Sequence, residues 1–396
     1  MAAMTLAGTL PWVMPAWRLT AAQAGSLQAA FNVSHALSLV LGSAVAEQLG
    51  ARRALRWASA STALAATALA LFARDATTGL VLFVCLGLAF GATYAPALIL
   101  VAASTAPTQR GASVGRWLAA SSLGYLSSIL LCTVVASAFH YAAAFFVGAA
   151  GAAFGSLAAI TGLGSAPAAV HETRVGTSGH LGSLADRSSR LAVIGYLGHS
   201  WELLGMWAWM PTFLLAVLRA GAAGATPVSS VWIAAAIHLS GVLSALSAGH
   251  AADCFGSRRV LVALGLTGTC CSLAIGWSTP LGPVPVLLLA AIYAFAAFGD
   301  SPVLSSVMTR SVDPRRLAAA IGFRSVVGIG AGGLAPLAFG LMLGDGAGLR
   351  SPIHWARSFS VLAAGGVVAT ACAVALPEDC TGRAPDVPRE ENRKHA

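Results

Sequence analysis

Long apolar runs alternate with short polar connections along the whole chain. A bilayer core about 30 Å thick needs about 20 apolar residues per crossing helix. Twelve runs come near that length. They cover residues 1–17, 25–46, 55–73, 78–103, 114–138, 141–163, 191–218, 228–250, 260–278, 284–307, 317–343 and 356–376. The pattern predicts an all-α integral membrane protein with twelve transmembrane helices.

Hydropathy falls sharply in one internal segment, residues 164–190, which is rich in glycine and charge. We interpret this segment as a linker between two six-helix bundles. The predicted units are an N-terminal bundle at 1–163, the cytoplasmic linker at 164–190, a C-terminal bundle at 191–376 and a cytoplasmic tail at 377–396.

The first run is shorter than the others, and no basic residue precedes Arg18. The segment that ends at Pro15 resembles the one that ends at Pro211 in the seventh run. Aligning these prolines places the equivalent of Leu191 before residue 1. We therefore expect the first helix to lack its N-terminal part, through a start codon assigned too late or a truncated gene.

A polar motif occurs twice, about half the chain apart, which indicates a duplicated unit. Residues 43–53 read SAVAEQLGARR, and residues 249–259 read GHAADCFGSRR. In each copy an acid precedes a glycine by three residues, and two arginines follow the glycine. Both copies resemble the signature loop of the major facilitator superfamily, small-x-x-x-acid-x-x-Gly-x-Arg-Arg, which follows the second helix of each half. The first copy departs from it at Ser43 and Glu47.

The resemblance implies a secondary transporter with alternating access, whose central cavity is lined by helices 1, 4, 7 and 10. It also implies that the two loops act as gates, with their acids near the starts of helices 11 and 5 and near Arg116, Arg315 and Arg316. The gating residues carried over in this way are Glu47, Gly50, Arg52, Arg53, Gly249, Asp253, Gly256, Arg258 and Arg259.

Composition excludes several other classes. Hydrophobic residues make up 57% and charged residues 9% of the 396 residues, unlike a soluble domain. The net charge of +9 is dispersed between apolar runs, so we interpret it as membrane-interface anchoring rather than nucleic-acid binding. The seven cysteines form no C-x-x-C pair, and no nucleophile–base constellation occurs in the loops. We predict no metal, no cofactor and no enzymatic activity.

Basic residues also predict the orientation. Alternate connections and the tail hold 17 of the 23 Arg and Lys residues. By the positive-inside rule, both termini are cytoplasmic and the protein is a multi-pass protein of the inner membrane.

Three ionisable side chains lie well inside the runs: Glu202, Asp300 and Arg324. Such residues are functional candidates because charge is costly in a bilayer. Glu202 shares a predicted helical face with His199 and Trp209. We predict Glu202, with His199, as the proton-coupling site; the alternative is a carboxyl group that only joins neighbouring helices.

Asp300 and Arg324 reach the same depth on consecutive helices, which predicts a structural ion pair. The alternative is that Arg324 binds an anionic substrate and exchanges partners with Asp300. Asn32 and His238 occupy matching positions in the two halves when Gly50 is aligned with Gly256. The predicted substrate-cavity candidates are Arg324, Asp300, Asn32, His238, Trp209 and Tyr293.

These observations predict a monomeric transporter that moves a small molecule, with a small organic anion as the candidate substrate class and a proton as the coupling ion. Two alternatives stay open: an efflux antiporter for a drug or metabolite, and a transporter-like protein that acts as a sensor or scaffold.

Overall fold

The computed structural model describes residues 2–105, 110–162, 186–220, 227–312, 317–344 and 351–378, and these ranges contain helices and turns only. A 3₁₀ turn at Ala2–Met4 and another at Gly276–Leu281 accompany fourteen α-helices. The α-helices are α1 (Thr5–Ala16), α2 (Ala21–Leu49), α3 (Ala51–Phe72), α4 (Ala76–Gly91), α5 (Tyr94–Ala103), α6 (Arg110–Ala138), α7 (Tyr141–Gly162), α8 (Arg187–Ala220), α9 (Pro227–Phe255), α10 (Ser257–Ile275), α11 (Pro283–Ser311), α12 (Leu317–Gly332), α13 (Ala335–Leu343) and α14 (Pro352–Ala375).

Every predicted apolar run coincides with helix, which confirms the all-α membrane fold. Within the described ranges, nine segments are long and apolar enough to cross a membrane, and Leu123–Ala138 of α6 is a shorter apolar stretch. The count of twelve crossings and the exact bundle boundaries stay predictions. The helix α1 has 12 residues, whereas α8 has 34.

Two of the predicted crossings are broken helices. The helices α4 and α5 are separated at Ala92 and Thr93, and α12 and α13 at Gly333 and Leu334. Pro336 stands in the first turn of α13, where its missing N–H removes a helical hydrogen bond and favours the break.

The signature motifs differ from the loops that their polarity predicts. The helix α2 continues to Leu49 and α3 begins at Ala51, so Gly50 alone separates them; Gly256 likewise separates α9 from α10. Both glycines have positive φ, 80° and 88°, a conformation that a side chain disfavours. The remaining polar residues of the motif stay helical, and the reversal of the chain depends on the glycine.

The same helix pairing occurs in both halves. In the first half α2 packs against α4, α3 against α7 and α1 against α6. In the second half the corresponding pairs are α9 with α11, α10 with α14 and α8 with α12. The duplication seen in the motifs is therefore a duplication of the whole helical arrangement.

The halves meet through α2 with α12 and α13, α6 with α9, and α1 with α8. At the closest points, a Cβ atom on Gly25 would collide with the carbonyl group of Pro336, and one on Gly340 with the carbonyl group of Ala21. We call the side of the molecule that carries Gly50 and Gly256 the signature side. Because α2 begins and α13 ends on the other side, this close approach lies opposite the signature side.

Candidate functional site

Glu202 lies inside the C-terminal half. Its carboxyl group is next to two glycines, so that a Cβ atom on Gly268 of α10 would lie 3.3 Å from Oε1 and one on Gly366 of α14 would lie 2.9 Å from Oε2. The residue is 2% exposed, and its Oε1 atom has no hydrogen-bond partner. Small residues on α10 and α14 thus create the space that holds a buried carboxyl group within this half.

His199 contacts a different helix. Its Nδ1 atom is 3.7 Å from Oδ2 of Asp300 on α11, and both side chains are buried. Asp300 and Tyr293 both lie close enough to interact electrostatically with Glu202, and the Tyr293 hydroxyl group donates a hydrogen bond to Ser272 Oγ at 3.1 Å. We call His199, Glu202, Tyr293 and Asp300 the carboxylate cluster.

The expectation of one shared face for His199, Glu202 and Trp209 is therefore corrected. His199 faces α11, Glu202 faces α10 and α14, and Trp209 faces α13. Successive helical positions turn by about 100°, so His199 and Glu202 differ by about 60° in direction, whereas Glu202 and Trp209 differ by only about 20° but lie about 10 Å apart along the helix. These offsets are enough to reach different neighbours, because several helices surround α8.

Arg324 does not pair with Asp300, and the predicted ion pair is wrong. The Nη1 atom of Arg324 donates to Ser305 Oγ at 3.1 Å, and its guanidinium carbon lies 4.2 Å from the ring centre of Tyr196. Asp300 and Arg324 reach the same depth without meeting because α8 packs extensively against both α11 and α12, which contact each other little. Asp300 consequently faces His199 on α8.

Arg324 is 5% exposed, and its Nε atom has no hydrogen-bond partner. Within the described part of the chain, no carboxylate lies within ion-pair distance of its guanidinium group. Tyr94 and Tyr196 are the groups close enough to interact with it electrostatically. The structure thus contains a buried cation without a counter-ion among the described residues.

Asn32 and His238 have unlike surroundings despite their matching positions. Asn32 accepts a hydrogen bond from Gln28 Nε2 at 3.2 Å and lies beside Gly333 of the other half, while its Nδ2 atom has no partner. The ring centre of His238 lies 6.0 Å from that of Phe298 in its own half, and the Nε2 atom of His238 has no hydrogen-bond partner. Asn32 is therefore at the contact between the halves, and His238 is inside one half.

Trp209 and Tyr293 are fully buried in the packed core of the second half. Trp209 donates from Nε1 to the Pro336 carbonyl oxygen at 2.9 Å and stacks on Phe339 with ring centres 5.2 Å apart. Position on a cavity-lining helix does not decide whether a side chain faces the cavity. Both side chains are enclosed by the core in this conformation, and their role as substrate-cavity residues stays a prediction.

Aromatic side chains that are not among the predicted substrate-cavity candidates lie where the halves meet. Tyr125 and Trp207, from different halves, have ring centres 5.8 Å apart, and Trp207 lies 5.2 Å from Phe298. Tyr94 lies 5.0 Å from Trp117. We call Tyr94, Trp117, Tyr125, Tyr196, Trp207 and Phe298 the aromatic surface. Their location on the fourth, fifth, seventh and tenth predicted helices was the available signal.

The two gating acids, Glu47 and Asp253, have exposed side chains. Of their predicted partners, Arg315 and Arg316 and the side chain of Arg116 lie outside the described residues. Arg258 forms an ion pair with Glu378, Nη1 to Oε1 at 3.4 Å. Both members of this pair are partly exposed, so it contributes little to stability.

The described residues include no group of three or more His, Cys, Asp or Glu side chains that could hold a metal ion. The candidate site has two adjoining parts. One is the carboxylate cluster inside the C-terminal half, and the other is Arg324 with the aromatic surface between the halves.

Solved transporter structures share this fold. A variant of the nucleoside transporter NupG matches with a TM-score of 0.69 and 16% identity, covering 94% of this chain and 97% of that chain. The inward-open xylose transporter XylE from E. coli matches with a TM-score of 0.70 and 14% identity, covering 95% and 94%. The peptide transporter POT in complex with sulfate matches with a TM-score of 0.73 and 14% identity, covering 94% and 90%.

A search of curated protein sequences found no match. The family model of the Major Facilitator Superfamily matches residues 1–247, well over half of the chain. Together with the duplicated helical arrangement and the paired signature motifs, this match establishes the family. The chain belongs to the major facilitator superfamily.

Proposed function

We propose that this protein is a secondary transporter that moves a small organic anion through the inner membrane, coupled to a proton. The observation that carries the proposal is Arg324, a buried guanidinium group with no described carboxylate partner. A charge inside a membrane protein costs several kcal/mol unless it is paired. A substrate carboxylate would supply the missing partner, and the planar fork of arginine suits a carboxylate.

Alternating access is supported by the contact between the halves. Gly25, Gly340 and Gly333 bring α2 against α12 and α13 opposite the signature side. Arg324 lies on α12, one of the helices that form this contact. A substrate held by Arg324 would therefore bind at a helix that must shift when the closed side opens.

Proton coupling is supported by the carboxylate cluster. Glu202 and Asp300 lie near each other, both are buried, and the imidazole group of His199 is 3.7 Å from Asp300. Two carboxyl groups and one imidazole in an apolar interior cannot all carry charge at low cost. At least one group of the cluster is therefore expected to stay neutral, and a proton can bind to or leave the cluster as its surroundings change. A D-xylose–proton symporter is among the similar structures, with a TM-score of 0.72.

We further propose a monomer with both termini in the cytoplasm. The orientation is supported by the charge asymmetry, because the alternate connections on the signature side and the tail hold 17 of the 23 Arg and Lys residues. Labelling from outside intact cells of a cysteine introduced at Arg187 would contradict this orientation.

The proposed function is tested on purified protein with acetate, lactate, succinate and benzoate, each at several concentrations. We expect at least one of these anions to raise the melting temperature, because a ligand that binds the folded state stabilises it. Arg324→Gln should lose that response. Arg219→Gln, which removes an exposed arginine from the same half, should keep it. An unchanged response in Arg324→Gln would contradict the proposal, as would the absence of any response in the parent.

A further inference from the structure

A small pocket lies on the signature side of the C-terminal half, where the ends of α8, α10, α11 and α14 meet. Its polar wall consists of Ser188 from α8, Ser257 and Arg258 from α10, and Arg310 and Ser311 from α11. The accessible volume of the pocket is about 50 Å³. On the same measure one water molecule needs about 10–15 Å³, so a group of roughly four or five heavy atoms can enter.

Hydrogen bonds hold the guanidinium group of Arg310 at this pocket. Its Nη2 atom donates to Ser257 Oγ at 2.9 Å and to Ser306 Oγ at 2.8 Å. Ser257 is 1% exposed and directly precedes Arg258 in the chain, so the bond to Ser257 brings the two arginines to the same pocket. An arginine fork carries five N–H donors and can hold several oxygen atoms at once.

One anionic group already stands at the rim of the pocket. The Oε1 atom of Glu378 lies 3.4 Å from Nη1 of Arg258, and the Glu378 side chain is 76% exposed. Pro377, the preceding residue, belongs to the pocket wall. An exposed ion pair contributes little stability, so a ligand with more negative charge can displace this carboxylate.

The start of α10 adds a partial positive charge beside the pocket. Gly256 is the N-cap residue of α10 and has no side chain to accept hydrogen bonds from the first turn. The start of α8 differs, because Oδ2 of Asp186 accepts hydrogen bonds from the backbone N–H groups of Ser188 and Ser189 at 2.8 and 3.2 Å. The dipole of α10 is therefore not offset by a capping side chain, and it favours an anion in the pocket.

The arrangement of the pocket wall favours phosphate over carboxylate. Its polar groups come from three helices, α8, α10 and α11, and so surround a ligand rather than share one plane. A carboxylate offers two coplanar oxygens, whereas a phosphate monoester carries about −1.5 to −2 charges and three acceptor oxygens that point in different directions. The rest of the wall is apolar, formed by Val307, Leu376 and Pro377, and suits the carbon atoms of an ester.

We propose that this pocket binds a phosphate group through Arg258 and Arg310. The site goes beyond the proposed function and is separate from Arg324. Arg310 donates to Ser306 and Arg324 to Ser305, and adjacent helical positions differ by about 100° in direction, so the two arginines serve different faces of α11. Because the pocket is at an end of the helix bundle, the phosphate group can come from a lipid headgroup or from a soluble phosphate.

The test uses the purified full chain in an uncharged detergent at fixed ionic strength, with thermal unfolding as the measurement. The probes are inorganic phosphate, dioctanoylphosphatidylglycerol, and dioctanoylglycerol, which keeps the acyl chains and lacks the phosphate. We expect at least one of the two phosphate probes to raise the melting temperature, and dioctanoylglycerol to leave it unchanged. A response to inorganic phosphate assigns the site to phosphate itself, and a response to the phospholipid alone assigns it to a headgroup.

Arg258→Gln and Arg310→Gln should each weaken the apparent affinity about tenfold, because each removes a charge-assisted contact. Glu378→Gln removes the competing carboxylate and should tighten binding about two- to fivefold, a gain that misfolding cannot produce. Arg219→Gln and Arg324→Gln are the controls, and both should keep the affinity of the parent.

Three results would overturn the site. They are no response of the parent to either phosphate probe, an equal response to dioctanoylglycerol and to the phospholipid, and an unchanged affinity in Arg258→Gln, Arg310→Gln or Glu378→Gln. The proposed function is judged separately, by the response to carboxylates that Arg324→Gln should lose.

Discussion

The two halves share a scaffold but differ in their buried chemistry. Among the residues whose side chains the structure describes, the buried polar side chains of the first half are neutral, and include Gln28 and Asn32. The second half buries side chains that can carry charge: His199, Glu202, His238, Asp300 and Arg324. Two copies of one helical unit have therefore kept the same packing with different polarity.

This difference shows what each half has to supply. Helix pairing depends on small residues and on the glycine turns, so it can be the same in both halves. Buried charge is expensive in a membrane, so it is expected only where it has a use. The first half contributes shape and aromatic rings such as Tyr94 and Tyr125, and, among the described side chains, the second half contributes the buried carboxyl groups and the buried guanidinium group.

The largest expected effect on transport comes from removing the titratable carboxyl group of Glu202 from the second half. Glu202→Gln cannot release a proton, so accumulation of the transported anion driven by a pH gradient should be lost, while exchange of labelled for unlabelled substrate continues. Uptake into liposomes with and without a pH gradient measures both. Glu378→Gln removes an exposed acid from the tail that follows this half and should behave like the parent. Intact pH-driven accumulation in Glu202→Gln would leave Glu202 as a group that only joins helices.

The next prediction concerns the contact that joins the unlike halves. Gly25→Leu places a side chain against the backbone of Pro336 and should destabilise the packing by about 1–3 kcal/mol. The melting temperature should fall, and transport should decline because the side opposite the signature side no longer closes. Gly155→Leu is the control, since a Cβ atom there meets nothing within 4 Å. Equal behaviour of the two variants would mean that the halves do not close at Gly25.

Removing the unpaired charge of Arg324 is expected to raise the free energy of unfolding. Arg324→Met removes a buried cation but keeps a long apolar side chain, and should stabilise the protein by about 1–3 kcal/mol while the response to anions disappears. Thermal unfolding without any ligand measures the gain. Arg219→Met, at an exposed site, should change stability little. A clear loss of stability in Arg324→Met would show that the guanidinium group has a structural role.

The smallest expected losses of stability test whether the glycine turns of the two halves are equivalent. Gly50→Ala and Gly256→Ala each force a side chain into a positive φ, 80° or 88°, and each should cost about 1 kcal/mol. Gly249→Ala, in the same motif but in a helix and with open space around its Cβ position, should not destabilise the protein, because alanine favours a helix more than glycine does. Unequal effects at Gly50 and Gly256 would mean that the two turns are not mechanically equivalent.

The sequence by itself determined the membrane fold, the duplication and the family. Apolar runs of membrane-spanning length and a motif repeated at half-chain spacing are local properties, and they can be recognised without knowing which helices are neighbours. The identity of the buried ionisable residues could also be predicted, because Glu202, Asp300 and Arg324 interrupt apolar runs. The one-residue turns at Gly50 and Gly256 could not, because polarity does not distinguish a loop from the end of a helix at the membrane surface.

Only the tertiary structure decided which of these residues meet. Depth along a helix follows from residue number, but the direction of a side chain also depends on which helices lie around it. The insertion of α8 between α11 and α12 separates Asp300 from Arg324. Asp300 instead lies within ion-pair distance of His199. The aromatic surface depends on the same cause: Tyr125 and Trp207 are far apart in the chain, and only the docking of the two halves brings their rings together.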